Sequence, residues 1–130
     1  MTEAGDDIPP HVLRFLEESI DSVPQLETLL MMDRDPHRIW LVADVASRNY
    51  TSEQRAVETL NALQRRGLVS SEGEPPRFRF NPTRDETRVV VADLARCYQK
   101  SLSRITMLIH SKPSTSVTEF ARAFDLKKDR

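Results

Sequence analysis

The stretch TSEQRAVETLNALQRRGLVSSEGEPPRFRFN, residues 51–81, decides the fold, because the spacing of its apolar residues changes at Gly67. Before the glycine, Ala56, Val57, Leu60 and Leu63 recur at three-and-four spacing, which predicts one buried helical face over Ser52 to Arg66. Thr51 with Gln54 has the form of a capping box, and Arg65 and Arg66 place positive charge on the last turn, where the helix dipole favours it. Gly67 is the stop signal. Beyond it, Leu68 to Ser71 and Arg77 to Phe80 flank the turn-forming residues Glu72, Gly73, Glu74, Pro75 and Pro76. Phe78 and Phe80 then point to one side and Arg77 and Arg79 to the other, the alternation of a β-hairpin.

Working upstream, Arg38, Ile39 and Trp40 are too short a run for a helix and predict a brief strand. Val42, Val45 and Ala46 mark a two-turn helix that ends at Asn49, a residue that tolerates left-handed geometry. Ser22 with Gln25 caps an earlier helix with Pro24 in its first turn; Val23, Leu26, Leu29 and Leu30 supply its apolar face, and Pro36 limits it. Pro9 and Pro10 open a short helix carrying Val12, Leu13, Leu16 and Ile20. Working downstream, Thr83 with Glu86 predicts a cap for a helix running from Arg84 to Ser111. Its broad apolar stripe is Val91, Leu94, Ala95, Tyr98, Leu102, Ile105, Leu108 and Ile109, opposite Asp93, Arg96, Lys100 and Arg104. A last short helix is expected after Ser116, with Val117, Phe120, Ala121 and Phe124 on one face.

The order from Ser22 is helix, short strand, short helix, longer helix, hairpin. It resembles the winged helix-turn-helix of bacterial transcriptional regulators of the MarR and PadR kinds, over about half the chain. The residues that carry the resemblance are the short helix Val42 to Arg48, the helix Ser52 to Arg66, the junction Arg65 to Val69 and the strand Arg77 to Phe80. Leu41 departs from the pattern, standing where such helices begin with Ser, Thr or Asp. The expected fold is mainly α with a small β-wing. An acidic end and short helix would occupy 1–21, a winged helix-turn-helix domain 22–81, and a C-terminal helical dimerisation arm 82–130.

Charge bears on what such a domain binds. The net charge of the 130 residues is −1, with one Arg against six acids in 1–21, eight against eight in 22–81, and ten basic against six acidic residues in 82–130. A non-specific nucleic-acid binder is usually more basic, so any DNA contact must come from local placement. No basic-then-apolar leader and no run of about 18 apolar residues occurs, and a cytoplasmic protein without membrane contact is expected. Cys97 has no cysteine to pair with. His11, His37 and His110 lack partners at ligand spacing, and neither a phosphate loop nor a nucleophile elbow is present. No enzyme, metal or cofactor is therefore expected.

If Ala56, Val57, Leu60 and Leu63 face inward, a helix turning about 100° per residue sends Gln54, Arg55, Glu58, Asn61 and Arg65 outward. Arg pairs with guanine, and Gln or Asn with adenine, so this face suits the major groove, with Glu58 as its one repulsive member unless it accepts from cytosine. Arg77 and Arg79 on the wing are expected on the DNA backbone. The expected function is a dimeric transcriptional regulator binding double-stranded DNA. A homodimer would be held by Val91, Leu94, Tyr98, Leu102, Ile105 and Leu108. The alternative is a winged-helix module that binds a protein partner through Gln54, Glu58 and the acidic wing tip.

Overall fold

The computed structural model describes residues 8–112, so the helix expected after Ser116, with Phe120 and Phe124, lies outside the described residues. Within them the order is α1 (Pro10–Ser19), α2 (Val23–Arg34), β1 (Trp40–Leu41), α3 (Val42–Arg48), α4 (Glu53–Arg65), β2 (Val69–Glu72), β3 (Arg77–Phe80), α5 (Asp85–Lys100) and α6 (Leu102–His110). The fold is a winged helix-turn-helix: mainly α, with a small antiparallel sheet in the order β1-β3-β2. Residue pairing sets Val69 opposite Phe80 and Ser71 opposite Phe78 within the hairpin, while Trp40 of β1 pairs with Phe78 on the other side. One residue of register slip would turn Phe78 and Phe80 to solvent, so their burial fixes the wing.

Local chemistry explains most of the element boundaries. Ser22 accepts from the Gln25 backbone N–H, and the Gln25 side chain accepts in return from the N–H of Asp21. For α4 the cap is Ser52, which accepts from Arg55 N–H, one residue later than the Thr51 box expected. The start of α3 lacks a capping side chain at Leu41; Asp44 compensates by accepting from the Leu41 N–H at 3.0 Å. Thr83 does not cap α5. Arg84 occupies that position without a side-chain cap, and Asp85 and Glu86 supply the favourable charge at the helix start.

Two expectations about conformation change. The left-handed residue after α3 is Tyr50, with φ of 53°, rather than Asn49, whose φ is −98°. Asn49 instead donates from Nδ2 to the buried Thr28 Oγ1 at 2.9 Å, a bond that ties α3 to α2. The single helix expected from Arg84 to Ser111 is two helices, broken at Ser101, whose φ of −129° and ψ of 41° leave the helical region.

The core does not stop at residues 22 and 81. One buried cluster joins Val12, Leu16 and Ile20 of the first segment to Leu26, Leu29 and Met32, to Trp40, Leu60, Leu63 and Phe78, and to Val91, Leu94, Ile105 and Ile109. Trp40 is 1% exposed, with the Arg38 guanidinium 3.9 Å from its ring centroid and that of Arg48 at 5.4 Å. These cations sit over the electron-rich ring face, each worth about 0.5–1 kcal/mol at such partly solvated sites.

Gly67 joins the helix to the wing. Its φ is 74°, its N–H donates to Gln64 O, and the next N–H, of Leu68, reaches back to Leu63 O at 3.0 Å. A Cβ at this position would meet Thr83 Oγ1 at 3.0 Å. Gly67→Ala should therefore lower stability by about 1–2 kcal/mol through left-handed strain alone, read as a lower denaturant midpoint at unchanged slope. An unaltered midpoint would show that the turn relaxes freely.

Candidate nucleic-acid interface

The outward surface of α4 is set by what its inward surface buries. Ala56, Leu60 and Leu63 are almost completely excluded from solvent, whereas Val57, expected among them, is 37% exposed at the edge of the packed face. Gln54, Arg55, Glu58, Asn61 and Arg65 are all exposed. They fall on the side of the helix away from its buried residues, as the 3.6-residue period requires. The structure thus brings together the five side chains expected on a reading face. It separates Arg66 from them: the Arg66 guanidinium donates to Glu18 O and, at 2.7 Å, to Asp21 Oδ2 at the end of α1.

Beside this face lies an open cleft of about 720 Å³ between α2 and α4, with Gln25, Tyr50, Gln54, Arg55 and Glu58 among its walls. Tyr50 is 96% exposed and was not expected to belong to the site. The signal in the sequence was a bulky aromatic in a sharp turn two residues before the helix cap.

The wing arginines differ from each other. Arg77 and Arg79 are both exposed, alternating with buried Phe78 and Phe80. Arg77 stands opposite Glu72 in the hairpin, and its guanidinium leans over the turn, where a Cβ on Gly73 would meet its Nη2 at 3.5 Å. Arg79 stands opposite Ser70, a neutral neighbour. Of the two, Arg79 has no acid across the strand.

Of the expected dimerisation stripe, Val91, Leu94 and Ile105 are fully buried in the core of their own chain, with α5 packed on α1 and α2. Tyr98 is partly buried, and its hydroxyl donates to Glu27 Oε2 of α2 at 3.3 Å. Burial, followed by the Glu27 charge, holds its phenol above the ordinary range. Leu102 and Leu108 remain exposed, together with Met107 on the same helix and Val89 on α5. Cys97 is partly buried, and burial and then the Asp93 carboxylate push its thiol upward, away from the thiolate.

Among the described residues no group of three His, Cys, Asp or Glu side chains is placed to hold a metal ion, and no helix is long and apolar enough to cross a membrane.

A sheet-flanked hairpin beside a capped, outward-facing helix defines the winged helix-turn-helix class, and comparison with solved structures agrees. Rv2887, a MarR family protein of Mycobacterium tuberculosis, superposes with a TM-score of 0.52 at 17% identity, over 92% of this chain and 83% of that one. YusO of Bacillus subtilis gives 0.52 at 14% identity, over 92% and 82%. The adhesin competence repressor of Streptococcus pyogenes gives 0.50 at 11% identity, over 92% and 87%. No protein-family model matches the chain, and no curated protein matches it. The likeness is one of fold.

The α1–α5 contact contains an acid-sensitive pair. His11 Nε2 lies 2.7 Å from Asp93 Oδ2, and Arg96 also reaches Asp93. The hydrogen bond with His11 is the largest cause holding the Asp93 carboxyl below its ordinary 3.8. A depressed folded-state value means that the unfolded chain takes up the proton first. The contribution is therefore complete above the ordinary value and is lost as pH falls through the lower, folded one. Asp93→Asn should flatten the loss of stability below about pH 4, measured by denaturant unfolding along an acid series. An acid limb of unchanged steepness would contradict this role.

Proposed function

We propose that the protein is a DNA-binding transcriptional regulator that acts as a homodimer, with α4 in the major groove and the wing on the backbone. The observation that carries the reading is the joint exposure of Gln54, Arg55, Asn61 and Arg65 on one side of a helix anchored by Ala56, Leu60 and Leu63. Those four side chains have the donors and acceptors that distinguish guanine and adenine edges, and Glu58 between them fits a cytosine amino group. Two of the fold neighbours are a competence repressor and a MarR family protein, which supports a regulatory role. A homodimer is supported by the exposed Leu102, Met107 and Leu108, which leave apolar surface on α6, and by the two-fold symmetry with which helix-turn-helix proteins meet paired half-sites.

A second reading, a module that binds a protein partner, is favoured by one feature: the even balance of eight basic and eight acidic residues over 22–81, with Glu72 and Glu74 exposed on the wing. The two readings separate on the selection of duplex DNA. Groove binding through α4 predicts that Arg55→Ala or Arg65→Ala each costs about 1–3 kcal/mol on a duplex selected from a random pool, and relaxes base preference at one position. Unchanged affinity in both variants, or a protein that selects no duplex over bulk DNA, would remove the DNA reading.

The dimer is tested separately. Leu102 is 52% exposed, so Leu102→Asp leaves the core intact, whereas Ile105, at 0%, would unfold the chain if charged. Sedimentation at micromolar concentration should find a dimer for the natural chain and a folded monomer for Leu102→Asp. A natural chain that sediments as a monomer sinks the dimer.

A further inference from the structure

Tyr50 combines two features that oppose each other. Its backbone is left-handed, at φ 53°, a conformation that puts the Cβ of a non-glycine residue against its own carbonyl oxygen and that only Gly, and to a lesser degree Asn and Asp, adopt routinely. Its side chain contributes nothing to the fold in return, being 96% exposed. The turn itself is held by the backbone, with Thr51 N–H donating to Ala46 O at 3.0 Å and Tyr50 N–H to Ser47 O at 3.3 Å. A glycine here would keep both bonds and lose the strain. An aromatic ring kept at a strained position, without packing, points to a use outside the fold.

We propose that Tyr50 is a DNA-backbone contact: its ring packs on a deoxyribose beside the major groove and its hydroxyl donates to a phosphate oxygen there. The inference rests on the DNA reading of α4. Tyr50 lines the α2–α4 cleft with Gln25, Gln54 and Arg55, side chains that offer hydrogen-bond donors. Glu27 and Glu58 line the same cleft and repel a phosphate placed against them, whereas the exposed Tyr50 ring offers a neutral surface for the strand. The charge balance gives this contact its purpose. With eight basic and eight acidic residues over 22–81, ionic attraction is limited, and a neutral aromatic adds affinity without adding charge.

The test uses the full chain with Tyr50→Gly and Tyr50→Asn, each compared with the natural protein on a duplex selected from a random pool. Both variants relieve the left-handed strain, so the melting temperature should rise by a few degrees. Affinity should fall about tenfold, the share of a hydrogen bond to a charged group, while the dependence on salt stays unchanged because no counterion is released by a tyrosine. A stabilised variant that binds DNA as tightly as the natural chain overturns the contact. A lower melting temperature overturns the claim that the fold bears the strain for binding. A changed salt slope assigns the loss to the neighbouring arginine instead. If the natural chain selects no duplex at all, the DNA reading of α4 fails first and takes this inference with it; failure of Tyr50 alone leaves that reading standing.

Discussion

Burial of Ala56, Leu60 and Leu63 is the constraint on which the rest of the molecule turns. These three side chains fix the rotation of α4 about its own axis, because removing a leucine from a packed core costs about 2–5 kcal/mol and a rolled helix would lose both leucines at once. Once the rotation is fixed, the helical period leaves Gln54, Arg55, Glu58, Asn61 and Arg65 no choice but to face solvent. The wing follows from the same anchor. Leu68 and Val69, buried just past the glycine turn, start β2 on the core, and the register then buries Phe80 and Phe78 in succession.

A second set of contacts ties this unit to the flanking helices, at the end of α1. Asp21 accepts from Arg66, which leaves the end of α4, and lies 3.5 Å from Lys112 Nζ beyond α6. Lys112 also donates to the carbonyl oxygens of Leu16, Glu17 and Ile20. The carbonyls at the end of α1 carry the negative end of its dipole, and the Arg66 and Lys112 cations meet them there, Leu16 O being shared with the Ile20 N–H. The result places the residue after α4 and the end of the arm on one carboxylate. Arg66 is thereby engaged at the end of α1, even though it adjoins Arg65 in sequence.

The same packing accounts for the modest apolar surface of the arm. An amphipathic stripe as broad as that of α5 and α6 must be covered, and α1 and α2 of the same chain pack against it, with Val12, Leu16, Leu26 and Leu29 in the same buried cluster. The break at Ser101 lets α6 change direction so that Ile105 and Ile109 also reach that core. What stays exposed on α6 is Leu102, Met107 and Leu108.

Periodicity and turn chemistry determined the elements of this protein. The change of period at Gly67 set the helix and hairpin apart, the alternation of Phe78 and Phe80 with Arg77 and Arg79 set the faces of the wing, and the outward residues of α4 followed from the inward ones. These features are local, encoded within a few residues of each other, and so they can be read along the chain. Tertiary structure decided the rest. The stripe of Val91, Leu94 and Ile105 reads the same whether it is covered by its own chain or by another, because periodicity reports that a face is buried and not what buries it. Arg65 and Arg66 are equivalent as a sequence, yet only the second meets Asp21, 45 residues away. The left-handed residue moved from Asn49 to Tyr50 because the Asn49 amide is held by Thr28 on another helix, a long-range bond that overrides the local preference of asparagine.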